Sequence, residues 1–458
     1  METHIVTIPD KNAHGSGPDT LSWHDLHAAK FTFDKPFRLN LDDGQVIAAH
    51  KVVRVMPKRR MVIFGSWSGR PVVAKLFYDP QHARRHMEKD MTGISTLGMN
   101  KIPTPNIYYT GVSEDRRIYV LIYERISDAI SLDEVWRKRE NIDAVIPLLQ
   151  SALLELATQH VMGVSQRDLH FKNFLLLGDI IYTLDGGQVH SHTGILPRET
   201  SMNCVSLFLA QLGVGHETYQ EELFKFYAQS RGWILKSDDI YQMFVLISKW
   251  NAKRWQQFRR KIFRESTEFT CIRDQQTYGM LDRCYDGIEF LAFLKNPDAV
   301  FHHPSARVLK DGRSSTVVKV TLDQRDLVVK RYNMKDAWHH LRRCLRPTRA
   351  AKSWELAHKL KLFGITTATP VAFLEKRLLG LRSQSYFVSE YVAGGHAGEY
   401  FTRQRSDETK TTAMVEKIAC LLKNLQKLKV THGDLKITNV LVNANDQPVL
   451  IDLDGAAE

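Results

Sequence analysis

Two short runs along this chain gather apolar, β-prone residues around a single lysine. They are RPVVAKLFY (70–78, with Lys75) and RDLVVKRYN (325–333, with Lys330). Short runs of this kind, rich in valine, predict strands. Each run is followed by a basic, helix-compatible segment that ends in a turn marked by Gly, Thr and Pro, over 88–111 and 353–375. Further strand-like runs come next, RIYVLIYERI (117–126) and SYFVSEYVAG (385–394). Long helical patterns then occupy roughly 141–162 and 409–428. The order strand hairpin, helix, strands, helix thus occurs twice.

Each long helical pattern runs into a loop of one design, VSQRDLHFKNFLLLGDIIYTLDGG (164–187) and THGDLKITNVLVNANDQPVLIDLDGAAE (431–458). Asp168 precedes Asn173 by five residues and Asp434 precedes Asn439 by five; the two leading aspartates are 266 apart (434 − 168). A further carboxylate closes each loop after an apolar run, Asp185 in the first and Asp452 in the second. One such Asp–Asn pair reads equally well as a capped turn. Two pairs, each downstream of a strand lysine, argue for an internal repeat.

The pattern divides the chain into a polar, turn-rich N-terminal extension (1–45), a first domain (46–270), a connection (271–306) and a second domain (307–458). Some hundred residues of largely helical pattern follow the first loop; almost none follow the second, which is expected to be an incomplete copy. In KWNAKRWQQFRRKIFR (249–264) the aromatics sit among basic residues, as in some nucleic-acid binders. Yet Trp255, Phe258 and Ile262 fall at i, i+3 and i+7, which predicts a core-facing stripe of an amphipathic helix. The basic run HLRRCLRPTR (340–349) reads as a solvated face or a phosphate-contacting surface.

Composition narrows the field. The chain has 458 residues and a formal charge of +12, which favours an anionic partner: nucleic acid, an acidic membrane surface, or a phosphorylated small molecule or glycan. Charge alone does not choose among them; the core-facing stripe at 255–262 makes nucleic acid the least expected. Five scattered cysteines without a CxxC pair exclude the usual disulfide framework and zinc patterns. No apolar run approaches the roughly 20 residues of a membrane span, and the N-terminus lacks the layout of a secretory signal. A cytoplasmic protein is expected.

Phosphoryl transfer asks mainly for positioning and charge neutralisation. A strand lysine grips phosphates, a helix carboxylate holds that lysine, one aspartate orients the attacking hydroxyl, and Asn with a further Asp suits Mg²⁺. The motifs RDLHFKN…LDGG and HGDLKITN…IDLDG resemble those of protein-kinase-like folds. More narrowly, with RKIFRESTEF and AAKSWELAHKLKLFGITTATPVAFLE, the chain resembles the bacterial lipopolysaccharide core kinases, which phosphorylate heptose or 3-deoxy-manno-octulosonic acid.

That resemblance, taken over residues 46–458, implies an α+β chain of two tandem kinase-like bilobal domains, the second truncated after its metal-binding loop. It implies ATP and Mg²⁺ as cofactors, and a sugar or anionic glycolipid acceptor at the cytoplasmic face of the inner membrane. Asp168 and Asp434 would be catalytic bases, and Lys75 and Lys330 would grip phosphates. Asn173 with Asp185, and Asn439 with Asp452, would be the metal ligands. Glu88 or Asp90 would pair with Lys75, and Glu355 with Lys330.

Several positions depart from the pattern. Gln166 stands where His432 stands in the second copy, and Gly433 replaces the usual arginine. No GxGxxG loop is visible; VMPKRRMVIFG (55–65) and KDGRSST (310–316) are the candidate phosphate-covering hairpins. Aligning TLDGG with DLDGA instead would set Thr183 against Asp452 and Asp185 against Asp454. A nucleotide-binding scaffold without catalysis, and a kinase of another small molecule, are the alternative functions.

Overall fold

The computed structural model describes residues 19–31, 33, 35–333, 346–378 and 381–457, a mixture of helices and antiparallel sheets of the α+β class. Chain contacts divide it into two compact units. The first comprises residues up to 137 with 166–168 and 172–192; the second comprises 138–165, 169–171 and 193 onward. The helices at 146–161 and 198–261, expected with the first sheet, therefore fall in the second unit.

The first unit is built on a six-stranded antiparallel sheet. Its strands are β1 (Phe37–Asn40), β2 (Val46–Met56), β3 (Arg60–Trp67), β4 (Arg70–Phe77), β5 (Ile107–Val112) and β6 (Tyr119–Glu124), in the order β1-β2-β3-β4-β6-β5. On β4 the strand period of two sends Val72, Ala74 and Leu76 into the core and leaves Lys75 on the opposite face. A short helix, α1 (Trp23–Ala28), packs Leu26 against that core and is tied down by the Trp23 indole donating to the Tyr78 carbonyl at 3.2 Å. The described residues of 19–45, expected as an extension, pack and pair with this sheet; residues 1–18 lie outside the described residues. The longer helix α2 (Ala83–Met99) accompanies the Lys75 face.

The second unit carries a seven-stranded antiparallel sheet. Its strands are β9 (Phe269–Arg273), β10 (Thr277–Asp282), β11 (Arg307–Asp311), β12 (Ser315–Leu322), β13 (Arg325–Tyr332), β14 (Pro370–Leu378) and β15 (Leu381–Glu390). The numbers β7 and β8 belong to a small hairpin of the first unit, Phe174–Leu177 and Ile180–Thr183. The order β9-β10-β14-β15-β13-β12-β11 contains a five-strand series, β11-β12-β13-β15-β14, that repeats β2-β3-β4-β6-β5 of the first sheet. Lys330 lies opposite Phe387 on β15 as Lys75 lies opposite Leu121 on β6.

The segment 271–306, expected as a connection, is built into this unit. It supplies most of β9 and all of β10. It also supplies the helix Ile288–Lys295, whose Phe290, Phe293 and Leu294 cover the sheet face holding Val318, Leu327 and Val329. The basic run at 340–349 falls largely on residues outside those described.

The helix on the Lys330 face (Arg349–Leu362) is buried nearly all round, with Ala350, Ser353, Trp354, Ala357 and Leu360 all inside. Lys352 and Lys361 stay exposed on it, and the long helix Ser237–Lys261 helps to cover the rest. Trp255, Phe258 and Ile262 form the stripe that their spacing predicts and join one core with Trp354 and Phe363. The Trp354 indole donates to the Ile262 carbonyl at 3.0 Å, and Arg259 pairs with Glu355. Among the described residues no helix is long and apolar enough to cross a membrane.

Candidate active site

Both sheets bring their strand lysine to a loop aspartate. In the first unit Lys75 Nζ lies 2.7 Å from Asp90 Oδ2 on α2 and 3.2 Å from Asp185 Oδ1. Asp90 is almost wholly buried; it accepts from the Tyr123 hydroxyl at 2.9 Å and lies 3.8 Å from Arg60. The helix comes this close because Gly93 faces Gly186 with no side chain between them. Asn173 donates its amide to the Asp168 carbonyl at 2.7 Å, which closes the loop that carries the candidate base.

In the second unit Lys330 pairs with Asp452 and, at 3.4 Å, with Asp454. Arg349, the first residue of its helix, pairs with Asp454. Asn439 donates to the Asp434 carbonyl at 2.8 Å, the same closure as in the first loop. His432 Nε2 lies 2.9 Å from the Ile451 carbonyl and so ties the loop's start to its end. Lys436 reaches Asp434 at 2.9 Å.

The backbone fixes which residues of the two loops correspond. Leu184 N donates to Asn173 O, and Ile451 N donates to Asn439 O. Thr183 N donates to Pro103 O, and Leu450 N to Thr366 O. Asp185 (φ 66°) and Asp452 (φ 61°) both adopt left-handed backbone and both open a single 3₁₀ turn. Asp185 therefore stands opposite Asp452, Thr183 opposite Leu450, and the extra residue of the second loop falls in its hairpin turn. Neither aspartate is glycine, and non-glycine residues at positive φ concentrate at functional sites.

Two expected lysine partners are corrected. Glu88 does not meet Lys75: it is half-buried and pairs with Arg84 at 2.7 Å. Two residues along a helix turn a side chain about 200° around the axis, so Asp90 faces the lysine and Glu88 faces away. Glu355 does not meet Lys330 either, because it is held by Arg259 of the neighbouring helix. Sequence reading reached Arg60 and Arg349 only as members of the basic runs 55–65 and 340–349, and did not single out Tyr123. It also missed Gln211, whose amide donates to the Leu169 carbonyl and whose oxygen accepts from Phe171 N at 3.1 Å, bracing the first loop from a helix 40 residues away.

The electrostatics follow from these contacts. Burial raises the Asp185 carboxyl, but the charges of Lys75 and Arg60 outweigh it and hold the group below the usual carboxylate range. Burial likewise works against Asp452, and Lys330 more than offsets it. Asp454 moves the other way, raised by burial and by its neighbour Asp452 in spite of Lys330 and Arg349. Exposed Asp434 is lowered by its hydrogen bond from Lys436.

The donor chemistry suits Mg²⁺. Each Asn spends its amide nitrogen on a backbone carbonyl, so its carboxamide oxygen is the end left to offer, beside a low-pKa aspartate. Among the described residues no three His, Cys, Asp or Glu side chains form a closed metal site. A magnesium ion held by one or two protein oxygens, with phosphate and water completing its shell, needs no such cage.

Comparison with known proteins bears on the second site. Residues 300–458 match the Lipopolysaccharide kinase (Kdo/WaaP) family, a stretch of about one third of the chain that contains Lys330, Asp434, Asn439 and Asp452. Members of that family are phosphotransferases, and this is the enzyme class to which the match assigns the C-terminal stretch. The resemblance read over 46–458 is matched over this stretch. No curated protein matches the chain.

Proposed function

We propose that this protein is an ATP- and Mg²⁺-dependent phosphotransferase acting on a sugar hydroxyl of the lipopolysaccharide inner core. In this reading it holds two kinase-like sites, of which the second is the catalyst. The observation that carries the reading is the second site itself. Within the stretch that matches the lipopolysaccharide kinases, Lys330 on a central strand meets Asp452, and Asp434 and Asn439 are bonded on one loop. The net charge of +12 suits a phosphorylated glycolipid acceptor at a membrane surface.

The roles follow from chemistry. Lys330 places its ammonium where nucleotide phosphates would lie, and Asp452 keeps it there in their absence. Asn439 and Asp452 would hold Mg²⁺, which when bound neutralises phosphate oxygens. Asp434 is exposed and ionised, so it can orient an acceptor hydroxyl and take its proton. Lys436 beside it keeps that carboxylate charged. The recurring strand order and the matching loop bonds support a second kinase-like site at Lys75, Asp168, Asn173 and Asp185.

Gln166, where the second loop has His432, favours a binding rather than catalytic role for the first site. Transfer of labelled phosphate from Mg-ATP to dephosphorylated core glycan tests the proposal, with free small-molecule alcohols as competing acceptors. No transfer to any core sugar would refute it.

A further inference from the structure

The lysine of each site has two carboxylate partners, but the two sites do not draw them from the same elements. In the first, one comes from the loop (Asp185) and one from the helix (Asp90). In the second, both come from the loop (Asp452 and Asp454).

The helix ends show what became of the helix carboxylate. Ile102 N donates to Leu97 O just beyond α2, and Ile365 N donates to Leu360 O beyond the second helix. Lys101 and Gly364 take positive φ at the same point, 57° and 81°. Thr104 and Thr367 then donate to the carbonyls of Thr183 and Leu450. These pairs share one offset, 263 residues (365 − 102), so the residue opposite Asp90 is Ser353. Ser353 is buried and hydrogen-bonded to the Tyr332 hydroxyl at 3.0 Å. In the loops the residue opposite Asp454 is Gly187, two beyond the left-handed aspartate in each case.

The exchange is spatially matched. A side chain added at Gly187 would begin 3.7 Å from Asp90 Oδ2 and 3.7 Å from Asp185 Oδ1, against the carboxylates that hold Lys75. Packing gives the reason. Glycine against glycine lets α2 close on its loop, whereas the corresponding residues of the second site are Leu356 and Leu453, both buried in one core. Two leucines need more room, and a short helix side chain reaches less far across it. Cation support has moved as well: Arg60 from a strand stands by Asp90, and Arg349 from the helix stands by Asp454.

We propose that in the second site the carboxylate holding the phosphate-gripping lysine has been transferred from helix to loop: Asp454, anchored by Arg349, does for Lys330 what Asp90 does for Lys75. The assignment rests on the phosphotransferase reading. It makes Asp454 a positioning residue and Ser353 a position from which no carboxylate is required.

The test uses the full chain with one lysine removed at a time, so that each site is read alone. In the Lys75→Ala chain, Asp454→Asn and Asp454→Gly are expected to weaken Mg-ATP binding at least tenfold. They are also expected to raise KM for Mg-ATP more than they lower kcat, with the acceptor KM unchanged. In the Lys330→Ala chain, Asp90→Ser is expected to weaken Mg-ATP binding as strongly, and Asp90→Ser with Gly187→Asp to recover most of the loss. A lost ion pair that merely unsettled the fold would not be restored by moving the carboxylate. Unchanged nucleotide affinity in both Asp454 variants would overturn the assignment, as would failure of the relocated aspartate to rescue. Absence of Mg-ATP binding by the unmodified chain would overturn the phosphotransferase reading and this assignment with it.

Discussion

Gly93→Ala is a one-methyl change whose consequence can be worked from the geometry. Gly93 lies on α2, and a Cβ built there would stand 2.7 Å from Gly186 Cα and closer still to that residue's carbonyl oxygen. Ordinary contact begins at 3.4 Å and the carbonyl carbon would lie at 2.5 Å, so helix and loop must separate by more than 0.9 Å (3.4 − 2.5). Neither neighbour can yield as a side chain would, because the clash is with backbone. Overpacking of this kind costs about 1–3 kcal/mol. The displaced elements carry Asp90 and Asp185, which hold Lys75 at 2.7 and 3.2 Å. Moving them away loosens the hold on the lysine that would grip phosphate, so nucleotide affinity at the first site should fall.

Gly98→Ala is the control on the same helix. It lies in the last turn with open space around it, where replacing a helical glycine by alanine stabilises by up to about 1 kcal/mol. Amide hydrogen exchange across residues 83–99 and 184–189 reads both changes. Gly93→Ala should exchange about 5- to 150-fold faster there, by 1–3 kcal/mol at 1.4 kcal/mol per tenfold, while Gly98→Ala should be unchanged or slower. If Gly93→Ala is protected as well as Gly98→Ala, the close approach of helix and loop is wrong, and with it the account of how Asp90 reaches Lys75.

Other consequences can be checked by equilibrium unfolding. Asp90→Asn removes one of the two carboxylates that meet Lys75, Asp185 remaining at 3.2 Å, and should cost about 1.5–3 kcal/mol, whereas Glu88→Gln, in an exposed pair, should stay within about 0.5 kcal/mol. Trp354→Ala removes a fully buried indole and its bond to the Ile262 carbonyl, for about 3–5 kcal/mol. His160 and His358 are buried as neutral imidazoles, each pushed down by burial to about 3. Below the ordinary 6.5 the unfolded chain binds protons at these two residues and the native chain does not, so stability falls as pH drops from 6.5 toward 3. At about pH 5 each contributes a loss of roughly 2 kcal/mol (1.5 units at 1.36 kcal/mol). His358→Phe, in its cage of Trp354 and Phe269, should make urea midpoints less sensitive to acid; equal sensitivity would count against a neutral His358.

The parts of the site that local pattern encodes were readable from the chain. The β-prone composition of RPVVAKLFY and RDLVVKRYN marks the strand that carries each lysine, and the Asp-x₄-Asn spacing is a local loop property. What escaped depends on contacts between distant segments. Whether Glu88 or Asp90 faces Lys75 turns on the rotational setting of α2, which the Gly93–Gly186 contact decides. Asp454 sits in the same short motif as Asp452, but its pairing with Lys330 depends on the spacing of helix and loop, which sequence pattern does not reveal. Residues 19–45 and 271–306 look like linkers because their helices and strands are short and flanked by polar turns. Only the sheet cores they cover show that they belong to the domains. The stripe at Trp255, Phe258 and Ile262 was legible as a buried face, but not that it would help enclose the Lys330 helix.

The central claim is that the second site transfers phosphate, and Asp434→Ala tests it most directly. The measurement is phosphate transfer from Mg-ATP to dephosphorylated core glycan, with nucleotide affinity recorded on the same samples and Asp168→Ala in parallel. The account predicts that Asp434→Ala abolishes transfer and still binds nucleotide, while Asp168→Ala retains transfer. Transfer that survives Asp434→Ala and disappears in Asp168→Ala would place the chemistry in the first site and contradict it.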